Sequence, residues 1–454
     1  MTVQNPVYHG EIEVWRALRA LRALGAAAVL CLLTLGFTVG PARGAALTQA
    51  QYMSLAQQGI GKSAAWANRK FHWYNEALND TKRYPQATIW GVAPLFESEA
   101  YAAIADPNSA NVARLKSFAN HAETYLDPNI ITGPGLSTKS PAYAPYPNSH
   151  RNQKTFFDDN AWWSLGFLDA YTAMQKANNS VLAARYLADA VRGFNFIYPN
   201  SWDTRDAGGP DSVQSTAGGV FWNTEHTIPG GTGRSGEALG AATELAAELY
   251  RATGARIYLA AALRYITWAN QNLLKWDGSY ATRVPDEVTM PHDGEGAMIG
   301  AFTALCQSKA GTVPTSVYSF LPPNKTHSHP SFRLPDDPTS WCSWAEALAH
   351  HTAFGVNPGG GVQDAAVPLN EGPQWDAIYV RGLLSLYGYD HDATWWGVAS
   401  DTATRIVQNA KGSNGEYLKT WSGSAQVPDA APGEIRTHAA SVSVLADLAS
   451  VSAP

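Results

Sequence analysis

The chain has 454 residues, 45% of them apolar and 15% charged, which is enough for one large domain, and closed barrels reach this size without splitting. Its 32 Lys and Arg against 38 Asp and Glu leave a net charge of −6 with no basic run, which argues against nucleic acid and anionic membrane surfaces as partners. The 16 Trp and 20 Tyr exceed what a core alone needs and are compatible with stacking on the C–H faces of sugars.

The chain opens with Arg16, Arg19 and Arg22 ahead of an apolar run from Leu24 to Val39. Ala42-Arg43-Gly44 then places small residues where an export peptidase reads them. Residues 1–44 are therefore expected to be a secretory signal, with an uncleaved N-terminal anchor as the alternative. Removing them takes away four Arg and two Glu, so the remaining 28 basic and 36 acidic residues carry −8. Residues 45–454 are expected to form a single secreted domain, a monomer without membrane attachment.

From there on, apolar residues recur at spacings of three and four, punctuated by Gly, Pro and Asn, and no strand pattern of any length is visible. The periodicity predicts about twelve helices, near 52–79, 94–105, 109–126, 159–177, 180–198, 235–252, 255–273, 294–308, 341–353, 373–388, 393–410 and 435–450. Three consecutive pairs share a hairpin signature, a Tyr near one helix end and an aromatic pair or aromatic-Leu pair opening the next. They run from Tyr171 to Tyr186-Leu187 through Asn178-Asn179, from Tyr250 to Tyr258-Leu259 through Thr253-Gly254, and from Tyr387 to Trp395-Trp396 through Tyr389-Asp390. Six such hairpins close into an (α/α)6 barrel, which is the expected all-α fold. A linear helical solenoid fits less well, because the period is irregular and no polar capping repeat is seen.

Four long loops rich in Gly, Pro and aromatics interrupt the helices, near 127–157, 199–233, 309–340 and 355–372. The first ends in Phe156-Phe157-Asp158-Asp159-Asn160-Ala161-Trp162-Trp163, where loop becomes helix. Two carboxyl groups facing one cleft are what glycoside hydrolysis needs, one to protonate the leaving oxygen and one to attack or activate water. At a junction not yet helical both Asp side chains can share a cleft, the helix N-terminus favouring the ionised member and its charge keeping the other protonated. The plainer reading is an N-cap followed by a first-turn acid, but capping leaves the four flanking aromatics unexplained.

This segment resembles glycoside hydrolase family 76, the α-1,6-mannanases, whose signature is a paired Asp followed by a Trp pair at the start of a barrel helix. Further blocks are similar to the family in the same order: Gly218-Gly219-Val220-Phe221-Trp222-Asn223, Arg234-Ser235-Gly236-Glu237, Leu249-Tyr250-Arg251-Ala252-Thr253-Gly254, Gly296-Ala297-Met298-Ile299-Gly300 and Trp375-Asp376-Ala377-Ile378-Tyr379-Val380-Arg381. The resemblance implies an (α/α)6 barrel and a retaining, endo-acting hydrolase of α-1,6-mannan, with Asp158 as nucleophile and Asp159 as acid/base. A transglycosylase or another (α/α)6 glycosidase is the alternative enzyme, and a non-catalytic glycan-binding barrel the alternative from another class. Trp90, Phe157, Asn160, Trp162, Trp222, Asn223, Glu295, Trp375, Asp376 and Arg381 are the expected substrate-binding residues. Arg381 and Glu237 equally fit buried ion pairs between helices. Glu295 stands where the family usually carries Gln, and Asp376-Ala377 where it usually carries Lys-Gly, so substrate contacts depart from the pattern more than the chemistry does.

Other constellations carry less. Gly231-Thr232-Gly233-Arg234-Ser235-Gly236 fits a dinucleotide fingerprint, but no apolar strand precedes it and Arg256 stands where an acid is needed. Among the histidines at 292, 327, 329, 350 and 351, His292-Asp293-Gly294-Glu295 is the best local cluster, yet none has firm ligand spacing. Neither a metal nor any other cofactor is therefore expected. Cys306 and Cys342 remain as an even pair, either bridged, worth about 3 to 4 kcal/mol, or two buried thiols.

Overall fold

The computed structural model describes residues 47–78, 86–132, 139–148, 153–204, 218–228, 233–275, 278–283, 292–308, 310–319, 335–354 and 369–454. The expected signal segment lies outside the described residues, as do His327, His329 and much of the second, third and fourth long loops. Among the described residues, twelve helices of more than three turns follow one another: α1 (Gln49–Lys62), α2 (Ile89–Ala105), α3 (Ser109–Ala122), α4 (Phe157–Lys176), α5 (Ser180–Asn200), α6 (Gly236–Thr253), α7 (Arg256–Asn272), α8 (His292–Gln307), α9 (Trp341–Phe354), α10 (Pro373–Asp390), α11 (Ala393–Arg405) and α12 (Ile435–Ser450). None of them is long and apolar enough to cross a membrane.

The sequence sets most of these boundaries through caps. Thr48 and Gln51 form a reciprocal capping box at α1, and the side chains of Thr88, Asn108, Asn179, Ser235 and Asp392 cap α2, α3, α5, α6 and α11. Left-handed residues make the expected hairpin turns: Asn178 between α4 and α5, Gly254 between α6 and α7, and His391 between α10 and α11.

The even-numbered helices close a ring in which α2 packs on α4, α4 on α6, α6 on α8, α8 on α10, α10 on α12 and α12 back on α2. The odd-numbered helices form an outer layer, each packed on one or two members of the ring. This is the (α/α)6 barrel. Inner helices are buried on nearly every side and have small residues where they cross. A Cβ on Gly296 would come within 2.5 Å of the Tyr379 Cα, and one on Gly382 within 2.6 Å of the Gly296 carbonyl oxygen, so α8 and α10 approach as closely as glycine allows. Outer helices are amphipathic; in α5 the buried face is Ala183, Tyr186, Asp189, Ala190, Gly193, Phe194, Phe196 and Ile197.

Three expectations change. The first helix ends at Lys62 rather than near residue 79, because the chain turns through Ser63–Trp66 into a small hairpin of β1 (Ala67–Asn68) and β2 (Trp73–Tyr74), with the Asn68 side chain accepting from the backbone of Lys70 and Phe71 in the turn. The first long loop contains a second antiparallel hairpin, β3 (Leu126–Ile131) with β4 (Lys139–Tyr143), so strands are not absent. The run expected at 393–410 is regular only to Arg405 and widens into a π turn over Ile406–Ala410. Cys306 and Cys342 are bridged, joining the end of α8 to the start of α9 with their Cα atoms 5.1 Å apart.

Candidate active site

Helices alternate in direction around the barrel, so the N-terminal turns of all six inner helices gather at one end. Four of the six begin with acidic residues: Asp158 and Asp159 on α4, Glu237 on α6, Asp293 and Glu295 on α8, and Asp376 on α10. Amide N–H groups at helix starts favour negative charge. Burial opposes it. That contest sets the properties of the site.

Helix α4 starts at Phe157, after an extended Phe156 that makes no side-chain cap. Neither Asp is therefore an N-cap, and the backbone at the pair is already helical, contrary to the sequence reading. A second segment fixes this junction from the side. Phe156 bridges to Asn223, Phe157 N–H donates to the Trp222 carbonyl (2.9 Å), and Thr224 N–H to that of Thr155 (2.9 Å). Gly218 and Gly219, both at positive φ, let this segment pass the Trp268 ring, which an added Cβ would meet at 2.6 and 2.8 Å. The Arg234–Asp203 ion pair anchors its far end.

Asp158 receives one donor on each oxygen: Asp159 N–H on Oδ1 (2.9 Å) and the Trp222 indole N–H on Oδ2 (2.8 Å). Burial pushes its carboxyl up to about 7, the two donors hold it back, and the charge of Glu237 adds to the rise. Asp159 is pushed well above the carboxylate range, by burial first and then by the charges of Asp158 and Glu76, with Arg436 offsetting part. Glu237 takes a hydrogen bond from the Ser235 hydroxyl (2.7 Å), and burial raises it. Asp293 is raised well above its usual value by burial and by Glu237, Asp158 and Glu371.

Next to Asp293, His292 Nδ1 lies 2.5 Å from Asp376 Oδ1 and 3.6 Å from Glu371 Oε2. Burial alone would lower the imidazole, but the hydrogen bond and charge of Asp376, with Glu371 and Glu295, leave it raised, which favours the protonated ring beside that carboxylate. The ligating atoms of these three residues lie within 4.8 Å of one another, close enough for a cation to take the place of the shared proton. Arg436, at the start of α12, bonds Glu434 Oε2 (2.9 Å) and the Asp429 carbonyl and lies 5.6 Å from the centre of the Trp90 ring.

The structure sorts the expected substrate-binding residues. Trp90, Trp222 and Trp375 are half-buried at the N-terminal end of the ring or beside it. The side chains of several others turn inward. Phe157 is fully buried on Phe196, and Asn160 ties α4 to β4 through both backbone groups of Tyr143. Asn223 closes its own turn by accepting from Glu225 N–H and donating to the Thr227 carbonyl. Glu295 accepts from Tyr280 N–H and the Thr352 hydroxyl. Trp162 lies in the barrel beneath Arg381, which spans the interior from α10 to Glu97 on α2 (2.6 Å) and Glu244 on α6 (2.5 Å). Asp376 stays at the site but is committed to His292. Sequence reasoning passed over Glu76, which lay inside the helix expected at 52–79, and Glu371, Glu434 and Arg436, whose only signal was a charged residue beside the start of an apolar helix.

A closed ring of helical hairpins with unequally perturbed carboxylates at one end defines an (α/α)6-barrel enzyme of the kind that works on carbohydrates. The chain belongs to glycosyl hydrolase family 76, whose model matches residues 61–297, and it is a glycoside hydrolase. The matched range includes Asp158, Asp159, Trp222, Glu237 and Asp293. Among solved structures, a family 76 α-mannanase from Bacteroides thetaiotaomicron is similar over 88% of this chain and 95% of its own, at 19% identity and a TM-score of 0.63. An inactive variant of a Salegentibacter α-1,6-mannanase, with two successive aspartates replaced by alanine, is held in complex with α-1,6-mannotetrose. It matches over 88% of this chain and 98% of its own, at 13% identity and a TM-score of 0.57. A cellobiose 2-epimerase from Spirochaeta thermophila matches over 88% and 97%, at 16% identity and a TM-score of 0.53, so the barrel by itself does not fix the reaction. No curated protein matches the chain.

Proposed function

We propose that the chain is a retaining, endo-acting hydrolase of α-1,6-mannan backbones, with Asp158 as nucleophile and Asp159 as acid/base. The observation that carries this is the unequal solvation of two adjacent carboxyls. Asp158 has a donor on each oxygen, which favours its anion, whereas Asp159 is buried against the charges of Asp158 and Glu76, which favours its acid form. In the first step an Asp158 oxygen attacks the anomeric carbon, the bond to the leaving sugar breaks, and the Asp159 proton passes to the leaving oxygen. In the second step Asp159 takes a proton from water, the water oxygen attacks the same carbon, and Asp158 is released. Family membership and the successive aspartates replaced in the Salegentibacter mannanase support the same pair. The disulfide and the Arg-flanked apolar run of residues 16–39 support action outside the cytoplasm.

The test is incubation with linear α-1,6-mannan, following new reducing ends, product lengths and the anomer first released. Wild type should give oligosaccharides with the α-anomer first, and Asp158→Asn and Asp159→Asn should each lose at least about a hundredfold in rate while remaining folded. Equal activity in all three proteins would refute the assignment of the pair. Initial release of the β-anomer would refute retention, and monosaccharide alone would refute endo action.

A further inference from the structure

Sequence reasoning places Trp222 among the residues that stack on sugar, but its surroundings give it another task. Its indole N–H is engaged by Asp158 Oδ2 at 2.8 Å, and the Phe156 ring stands at its side with centroids 5.1 Å apart and planes at 60°. The backbone that carries it is held on both sides, since Trp222 N–H donates to the Gly233 carbonyl (2.8 Å) and its own carbonyl accepts from Phe157 N–H (2.9 Å). The latter bond links Trp222 to the first residue of the helix that bears Asp158. Tryptophan and carboxylate thus sit on two segments joined within one residue of each other, so the donor is set in place before substrate arrives.

We propose that Trp222 is a positioning residue for the nucleophile: its indole N–H fixes the plane of the Asp158 carboxylate and keeps its charge in place for attack. The inference rests on the reading of Asp158 as nucleophile. A carboxylate turns about its last side-chain bond, and one donor per oxygen stops that rotation while leaving each oxygen a free lone pair. The donor on Oδ1 is the Asp159 backbone, which no side-chain substitution removes, and the donor on Oδ2 is Trp222 alone among the described contacts. The charged groups facing Asp158 are Asp159 on its own helix, Glu237 on α6 and Asp293 on α8, with Glu76 and Arg436 one step further on around Asp159. All the nearest ones are acidic. A neutral donor is therefore the main feature outside its own helix that favours the anion of Asp158.

Trp222→Phe keeps the ring and deletes the donor. On linear α-1,6-mannan, kcat should fall about ten- to a hundredfold, the worth of one hydrogen bond to a charged group, with KM changed less than about threefold. Losing the donor disfavours ionised Asp158, so the acid limb of kcat/KM should move to higher pH by about half to one unit. A rise in KM with kcat and the acid limb unmoved would overturn the proposal and return Trp222 to the sugar platform. A second measurement needs no turnover, and its deciding arm uses the wild type alone. In 15N-labelled wild type the Trp222 indole resonance should titrate with Asp158, and in Asp158→Asn that titration should vanish. An indole signal independent of pH would overturn the proposal even if the variant fails to fold. A wild type inert on mannan would sink the substrate reading, and the resonance would still decide whether Trp222 holds Asp158.

Discussion

A buried carboxyl with a raised pKa should cost stability at neutral pH, and Asp158 allows that cost to be measured. Its folded-state value of about 7 against 3.8 for the free group means that, between those pH values, the folded protein keeps a proton that the unfolded chain has released. The sign follows directly. The stability associated with protonated Asp158 is fully present below about pH 4 and is lost as pH rises through about 7. At about 1.36 kcal/mol per pH unit the span is at most about 4 kcal/mol. Water in the cleft screens part of it, and an amide forfeits about 1 kcal/mol of pairing with the two donors, which leaves about 1 to 3 kcal/mol. Asp158→Asn should therefore be more stable than wild type at pH 8, by about 1 to 4 °C in Tm for a domain of this size, and no more stable at pH 4. Thermal unfolding followed by circular dichroism at both pH values checks it. A variant equally destabilised at both would refute the picture of Asp158 as a carboxyl held in an unfavourable site, and would make it an ordinary helix-start residue.

Glu237→Gln should act in the opposite sense to Trp222→Phe: removing a charge that raises Asp158 should move the acid limb of kcat/KM to lower pH, as read from a pH profile. Arg381→Ala should destabilise the barrel by about 3 to 5 kcal/mol, because it leaves Glu97 and Glu244 buried without their partner, and denaturant unfolding should show it. Adding Glu97→Gln and Glu244→Gln should recover part of that loss. Removal of the disulfide by Cys306→Ser with Cys342→Ser should cost about 4 kcal/mol for a separation of 36 residues, and reduced wild type should unfold at the same denaturant concentration as the double variant.

Much of the fold was legible because helical barrels write their signal locally. Each helix carries its own period, and Asn178, Gly254 and the Tyr389-Asp390 region announce the turns that fold it back on its neighbour. Ring closure between α12 and α2 is not local, and nothing in either helix specifies its partner. The misread stretches have local causes too. Leu126–Ile131 is a short run interrupted by Pro128, too brief for an alternating pattern to stand out, and the α1 period continues into Trp66 and Trp73, whose burial in a hairpin looks the same in sequence as burial in a helix. At the site, the aspartate pair was visible because its two members adjoin each other and four aromatics. Proximity in sequence also drew in Phe157, Asn160 and Asn223, whose side chains point away from the chemistry. Glu237, Asp293, Glu371 and Arg436 come from four distant turns, and only the closed ring brings them to the pair.

The two departures from the family pattern take on a different meaning once placed in the barrel. Glu295 and Asp376 would, if exposed in the cleft, argue for a substrate other than neutral mannan, since two added carboxylates repel anions and invite cations. Glu295 is almost wholly buried, and its oxygens are bound to Tyr280 N–H and the Thr352 hydroxyl, so its role is to tie α8 to neighbouring segments. Asp376 is equally buried and spends one oxygen on His292 Nδ1 and the other on Gly372 N–H. The raised pKa of His292 favours its cationic form, which offsets the charge of that carboxylate. Both exchanges are thus compensated inside the protein, and they leave the reading of a neutral glycan intact. On the proposed function, Trp90, Trp375 and Glu237, which are half-buried and retain side-chain surface, are the candidates for discriminating among sugars.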